Sequence, residues 1–191
     1  MKLIFASHNE NKAKEIRSLL PVTIELLTLN DIGIHEEIPE TAETLEGNAL
    51  LKASYVYERF GLNCFADDTG LEVHALNGAP GVFSARYAGE AKDPEANMEL
   101  LLKNLSNMED RSARFRTSIA LFWNGKQHFF DGIINGEIAK VRSGSDGFGY
   151  DPIFIPENSQ RTFAEMSLQE KNQQSHRARA LEKMMAFLRE V

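Results

Sequence analysis

Apolar positions along the chain change period several times, and each change predicts an element. Residues 3–6 form a short apolar run, the pattern of a buried strand. Ala13, Ile16, Leu19 and Leu20 then recur at helical spacing, and Pro21 stops the helix. Residues 22–27 read as a second strand. Thr44 opens a long helix whose apolar face is Leu45, Ala49, Ala53, Val56, Tyr57 and Phe60, and Gly61 stands where a C-terminal cap glycine belongs. Residues 62–66 predict the next strand, broken by Asp67-Asp68-Thr69-Gly70. Residues 71–76 continue after the break, and residues 77–81 read as a loop.

The second half begins with a helix that starts at Asp93-Pro94, with the proline in its first position. Met98, Leu101, Leu102 and Leu105 are its buried stripe. Ala113, Phe115, Thr117, Ile119, Leu121 and Trp123 alternate at strand period. Asn124-Gly125 is a strong hairpin signal, with residues 127–134 as the returning strand and 137–142 as another. Residues 143–152 are a glycine-rich connection. Ser167 and Glu170 make a capping box ahead of a final helix with Leu181, Met184, Met185 and Leu188 on one face. Strand–helix alternation followed by a hairpin predicts an α/β fold with a mixed sheet. With no repeat, linker or low-complexity stretch, residues 1–191 read as one domain or one domain in two lobes, with no boundary marked in the sequence.

Composition narrows the function. A chain of 191 residues that is 42% hydrophobic and 26% charged is neither disordered nor fibrous. Its net charge of −7 argues against duplex nucleic acid, where a basic footprint supplies most of the affinity. Any anionic ligand must be held by a local basic cluster or a metal ion. A single cysteine, Cys64, rules out an intrachain disulfide and a multi-cysteine zinc site. The N-terminus lacks the roughly 7–15 apolar residues of a signal peptide. The apolar run 119–123 is far short of the roughly 20 residues that span a bilayer. The expectation is a soluble, cytoplasmic protein with no membrane or nucleic-acid partner.

Five polar clusters fall at the ends of predicted elements. Ser7, His8, Asn9, Glu10, Asn11 and Lys12 lie at a strand-to-helix turn, which is either a phosphate site or a capped helix with a solvated lysine. The adjacent carboxylates Asp67 and Asp68 suit either a Mg²⁺ site with a general base or a plain turn. Phe148 and Tyr150, set among Gly147 and Gly149 and followed by Asp151, could stack on a planar ligand or fold onto the core. Lys171, His176 and Arg177 offer donors near the last helix, whose default reading is a solvated start. Asn48 and Lys52 share a helix face with Glu40 upstream, a group that matters only if it points at Asp68.

Taken in order, Ser7-x-Asn9-x-x-Lys12, Asn48-Ala49-x-x-Lys52-Ala53, Ala66-Asp67-Asp68-Thr69-Gly70-Leu71, Gly78-Ala79-Pro80-Gly81 with Ser84-Ala85-Arg86-Tyr87, Gly147-Phe148-Gly149-Tyr150-Asp151-Pro152-x-Phe154, and Glu170-Lys171 with Ser175-His176-Arg177 run over nearly the whole chain. This set resembles the inosine triphosphate pyrophosphatase family, which hydrolyses non-standard purine nucleoside triphosphates. The resemblance implies a two-lobed α/β fold with a long mixed sheet flanked by helices, a cleft between the lobes, a homodimer, Mg²⁺ dependence, and conversion of ITP, dITP or XTP to the monophosphate and pyrophosphate. It also implies that residues 7–12 are the triphosphate loop, that Asp68 is the catalytic carboxylate and metal ligand, and that Glu40 is a second ligand. Lys52 and Asp67 would support them, Thr69 would follow in the substrate loop, and Phe148, Gly149, Tyr150, Asp151, Lys171, His176 and Arg177 would contact the nucleoside. Arg177 and His176 would donate to the C6 carbonyl of the base, where adenine has an amino group. Ser7-His8 stands where bacterial members commonly have Thr-Gly, and Thr69 where serine is common; both keep a hydroxyl. The nearest alternative is a Maf-type pyrophosphatase for other modified nucleotides, against which the Ser-His-Arg element speaks. A nucleotide-binding regulator without catalysis is the alternative from another class, and the intact Lys12, Lys52, Asp67 and Asp68 speak against it.

Overall fold

The computed structural model describes residues 1–191. In chain order it runs β1 (Lys2–Phe5), α1 (Glu10–Leu19), β2 (Glu25–Thr28), α2 (Leu45–Phe60), β3 (Cys64–Val73), β4 (Pro80–Gly81), α3 (Pro94–Asn104), β5 (Ser112–Trp123), β6 (Lys126–Ile138), β7 (Phe154–Pro156), α4 (Leu168–Asn172) and α5 (His176–Glu190). Six strands pair in the order β2-β1-β3-β5-β6-β7, and β4 adds to β3 as the seventh. β1 is parallel to β2 and β3, whereas β3–β4 and β6–β7 are antiparallel, so the sheet is mixed as expected. No helix is long and apolar enough to cross a membrane.

The chain divides into two compact units, and β3, β5 and β6 contribute residues to both. Unit 1 comprises Met1–Asp68, Thr117–Gly132 and Arg177–Val191. Strand alternation there builds two cores on opposite faces of the sheet. Leu3, Phe5, Phe65, Ile119 and Leu121 pack with Ala13 and Ile16 of α1 and Ala180, Leu181 and Met184 of α5. Ile4, Ala6, Cys64, Ala66, Ala120 and Phe122 pack with Ala49, Ala53 and Val56 of α2. Unit 1 is therefore a helix–sheet–helix sandwich, and its elements end as the sequence signals require. Asn9 caps α1, Thr44 caps α2, and Gly61 closes α2 in the left-handed region at φ 63°. Unit 2 comprises Thr69–Arg116 and Ile133–His176, with one core around Phe115, Phe154, Phe163, Met98, Leu101 and Leu105.

Four local expectations are corrected. Asp67-Asp68-Thr69-Gly70 does not break the strand: β3 runs unbroken from Cys64 to Val73, and its two carboxylates find partners on the flanking helices, Asp67 with Lys12 of α1 and Asp68 with Asn48 of α2. The gap expected between residues 134 and 137 is likewise absent, and β6 continues to Ile138. Gly136 lets it continue: a Cβ there would lie 2.2 Å from the Ile155 carbonyl oxygen of the adjoining β7. Residues 139–142 leave the strand. The Ser167–Glu170 capping box is present, but it starts the short α4, and the last helix begins separately at His176.

Candidate active site

The β1–α1 turn is held by its own side chains. Ser7 Oγ accepts the Asn9 N–H at 3.1 Å, and Asn9 Oδ1 accepts the Lys12 N–H at 3.1 Å. Glu10 and Asn11 are exposed on the first turn of α1. The Lys12 side chain runs inward and is only 13% exposed, with Nζ 3.0 Å from Asp67 Oδ1. Burial pulls its pKa down, and the neighbouring Asp67 carboxylate offsets that in part.

Strand alternation resolves the problem of two neighbouring carboxylates. Consecutive side chains on β3 point to opposite faces. Asp67 shares the Phe65 face, toward α1 and α5, whereas Asp68 shares the Cys64 and Ala66 face, toward α2. Asp67 is fully buried between two cations, Lys12 and Arg177, whose Nε lies 3.1 Å from Oδ2. Burial pushes its pKa up, but Lys12, Arg177 and Lys52 together outweigh it and hold the carboxyl well below the usual range. The other side of Arg177 donates through Nη1 to Glu15 on α1. Glu15 is buried too, and sequence reasoning passed it by. Its signal was a carboxylate beside Ile16 in the apolar stripe of α1.

Asp68 has a different environment. Asn48 Nδ2 donates to its Oδ2 at 3.2 Å, and Lys52 Nζ lies 3.7 Å from Oδ1. The same Nζ is 2.5 Å from Glu40 Oε1, so one ammonium serves both expected metal ligands. Asn48 also anchors the approach to α2, its Oδ1 accepting the Ala42 N–H at 2.9 Å. Gly47 makes room for that approach: a Cβ on it would lie 2.6 Å from the Ala42 Cβ. Burial raises the Asp68 pKa; Lys52 and Lys12 oppose the rise, and Glu40 and Asp67 add to it. Lys52 moves upward, because Asp68, Glu40 and Asp67 outweigh its own burial.

The expected nucleoside contacts are shared between the units. Arg177 was expected on the base, but it is 1% exposed in unit 1 with Nε and Nη1 committed to Asp67 and Glu15. The remaining residues of that set are in unit 2. Tyr150 is not an open stacking platform: it is 5% exposed in the core, and its hydroxyl donates to the Ser84 carbonyl at 2.8 Å. Phe148 is half-buried, with Lys171 Nζ 5.0 Å from its ring centroid. Asp151 accepts from the Phe148 N–H at 2.8 Å and from Lys171 Nζ at 2.5 Å. Gly147 and Gly149 adopt φ of 76° and 62°, and a Cβ on Gly147 would meet the Asp151 carboxylate at 2.1 Å. His176 stacks on Phe115 at 4.6 Å between centroids, and Thr69 is half-buried on β3.

No three histidine, cysteine or carboxylate side chains converge as a ready cation cage. Glu40 and Asp68 fit a different kind of site. Mg²⁺ commonly takes one or two carboxylates and completes its shell with water and substrate phosphates. Around Asp67 and Asp68, three cations (Lys12, Lys52, Arg177) face four carboxylates (Glu15, Glu40, Asp67, Asp68). Of the adjacent pair, Asp67 is held down by its cations, whereas burial pushes the Asp68 carboxyl up against Lys52 and Lys12.

The Ham1 family profile matches residues 3–187. The chain is 56% identical over 188 residues to the dITP/XTP pyrophosphatase of Flavobacterium johnsoniae, covering 98% of each protein. Among solved structures, it superposes on a HAM1 protein from Coxiella burnetii with a TM-score of 0.91 at 40% identity, over 100% of both chains. A nucleoside-triphosphatase / dITP/XTP pyrophosphatase from Mycobacterium abscessus gives a TM-score of 0.77 at 44% identity, over 96% of this chain and 98% of that one.

Proposed function

From the premise that the chain belongs to the Ham1 family, we propose that it hydrolyses non-standard purine nucleoside triphosphates (ITP, dITP and XTP) to the monophosphate and pyrophosphate. The observation that carries the mechanism is the split between adjacent carboxylates, Asp67 held down by Lys12 and Arg177 and Asp68 pushed up by burial. Environments that push two like groups apart assign them different roles. Asp67 is the positioning residue: it locks Lys12 and Arg177. Asp68 is the catalytic carboxylate.

In this reading the 7–12 turn and Lys12 receive the phosphates, and Lys52 keeps Asp68 and Glu40 apart as charges while adding its own to the developing negative charge. Asp68 and Glu40 would hold Mg²⁺, which supplies charge neutralisation on the phosphate oxygens and a more acidic water. Asp68 accepts a proton from the attacking water through a carboxylate oxygen. The new O–P bond forms at the α-phosphorus as the bond to the bridging α–β oxygen breaks, and pyrophosphate leaves. Thr69, Phe148, Gly149, Asp151, Lys171 and His176 serve the purine nucleoside. Assembly as a cytoplasmic homodimer belongs to the same proposal.

The test is a panel of ITP, dITP, XTP, GTP and ATP with Mg²⁺, with products separated by chromatography. Pyrophosphate and monophosphate from the first three, loss of turnover on chelation and return with Mg²⁺ are expected. Orthophosphate as the product, or equal rates on ATP and ITP, would overturn the reading.

A further inference from the structure

The 7–12 turn contains one bulky residue with a job of its own. His8 is half-buried, and its two ring nitrogens face two acceptors. Nε2 is 3.0 Å from the backbone carbonyl oxygen of Glu36, and Nδ1 is 3.3 Å from Asn30 Oδ1. The orientation of the Asn30 amide is set from its other end, where Nδ2 donates to Glu10 Oε1 at 3.4 Å. Turning the amide over would point its oxygen at the Glu10 carboxylate. A neutral imidazole has one donor and one acceptor nitrogen, and only the imidazolium donates from both. The arrangement is satisfied by the charged ring.

The segment that His8 grips is held from its far side as well. The Glu36 carboxylate accepts from the Tyr55 hydroxyl at 2.5 Å and from Arg59 Nη1 at 3.0 Å, both on α2, and these hydrogen bonds bring its pKa down to about 2. Ile34 is buried beneath it. Four residues beyond Glu36 the chain reaches Glu40, on Lys52. Residues 30–36 therefore connect the 7–12 turn to the carboxylate pair, and they meet the turn through His8 and through the Asn30–Glu10 hydrogen bond.

We propose that His8 is a positioning residue, a charged clasp that ties the 7–12 turn to the segment carrying Glu40. The claim rests on the reading of that turn as the phosphate site. The titratable and charged groups on the segments joined here are Glu10 on α1, Asp31, His35 and Glu36 on the gripped segment, and Tyr55 and Arg59 on α2, which meet the Glu36 carboxylate. The Arg59 charge is engaged by Glu36. Loss of the proton removes one of the two bonds and loosens the clasp.

Two measurements test it. The first is nitrogen-detected NMR of the imidazole in the ligand-free protein. Both ring nitrogens are expected to carry protons, and Asn30→Asp should carry that state to higher pH. A single protonated nitrogen throughout the range where the protein is folded, or no response to Asn30→Asp, overturns the imidazolium assignment. The second is steady-state kinetics on ITP against pH. His8→Gly should raise KM roughly tenfold, the scale of one hydrogen bond to a charged group, with a smaller change in kcat. It should also remove the wild-type rise in KM at the pH where NMR shows the ring losing its proton. His8→Gln, with one amide nitrogen as donor, should recover part of the loss. An unchanged or lower KM in His8→Gly, or a pH profile identical to wild type, overturns the clasp. The NMR result does not depend on the active-site assignment, so failure of that reading leaves its own trace: Asp68→Asn would then retain turnover while His8 still titrates as described.

Discussion

Replacing each of the neighbouring aspartates by asparagine should produce opposite stability effects. Asp67→Asn leaves Lys12 and Arg177 buried without the carboxylate that lies 3.0 and 3.1 Å from them. Removing one partner of a buried ion pair costs about 3–5 kcal/mol. In a protein of this size each kcal/mol moves Tm by about 2–4 °C, so Tm should fall by about 6–20 °C. Asp68→Asn removes a charge that burial already disfavours, and the amide oxygen can still accept from Asn48. Its Tm should stay level or rise, while turnover falls about 10²-fold or more. The pH dependence separates the two further. Asp67 has a depressed folded pKa, so its contribution is present above the unfolded value of about 3.9 and is lost as pH falls through the lower folded value. Asp68 has a raised folded pKa, so its linked stability is present below the unfolded value and is lost as pH rises through the folded one. The advantage of Asp68→Asn over wild type should therefore be largest near neutral pH and shrink on acidification. Thermal melts from about pH 2 to 8, which reach below the ordinary carboxylate value of about 3.9, with pyrophosphate release in parallel, measure both effects. Equal destabilisation by the two substitutions would refute the division of roles.

Other expectations follow from single contacts. Gly47→Ala should lower kcat/KM about tenfold or more although alanine favours helix by about 1 kcal/mol, because Ala42 must move and Asn48 with it; circular dichroism should show the helix intact. Lys12→Ala should weaken the triphosphate far more than the monophosphate product measured as an inhibitor, and equal losses would take Lys12 off the distal phosphates. Arg177→Ala should lower Tm and reduce ITP and ATP turnover by the same factor, since its Nε and Nη1 serve Asp67 and Glu15. A narrowed ITP-to-ATP gap would instead return Arg177 to the base.

Much of the fold was legible where one local signal had no competitor. Asn124-Gly125 forms its turn with φ of 49° and 80°, as a tight hairpin requires. Asp93, Thr44 and Gly61 cap the helices they were expected to cap. The misreadings share a cause, which is that a residue's local preference gave way to a partner distant in sequence. Asp67-Asp68 has turn composition, but Arg177, 110 positions later, helps hold it in a strand. Gly136 looks like a strand end until β7 comes close enough to need the space. Tyr150, set between glycines, gives no sign that the Ser84 carbonyl will take its hydroxyl. The candidate site was legible as a set of residue types in order, whereas the pairings within it were not. Lys12 and Lys52 look equivalent in the sequence, yet burial lowers the pKa of one and three carboxylates raise that of the other.

The strand geometry explains why two carboxylates stand together at all. A lone aspartate at the position of Asp68 would face α2 with only Asn48 and Lys52, and nothing would organise the cations on the other side of the sheet. Asp67, one residue earlier and on the opposite face, gathers Lys12 from α1 and Arg177 from α5. Lys12 is thereby held at the end of the 7–12 turn, while the Asp68 carboxylate stays on the other face, where burial pushes its pKa up against Lys52 and Lys12. Under the proposed function, the burial that disfavours the Asp68 charge in the ligand-free protein is what a cation carrying phosphate would relieve. The same argument makes the order of the pair matter. Exchanging the environments, by supplying a further cation beside Asp68, should stabilise unit 1 and reduce turnover together. Ala49→Lys would bury its charge in the α2 core and test nothing, whereas Leu51, which is 39% exposed on α2, serves as a control site where an added lysine should change neither stability nor rate.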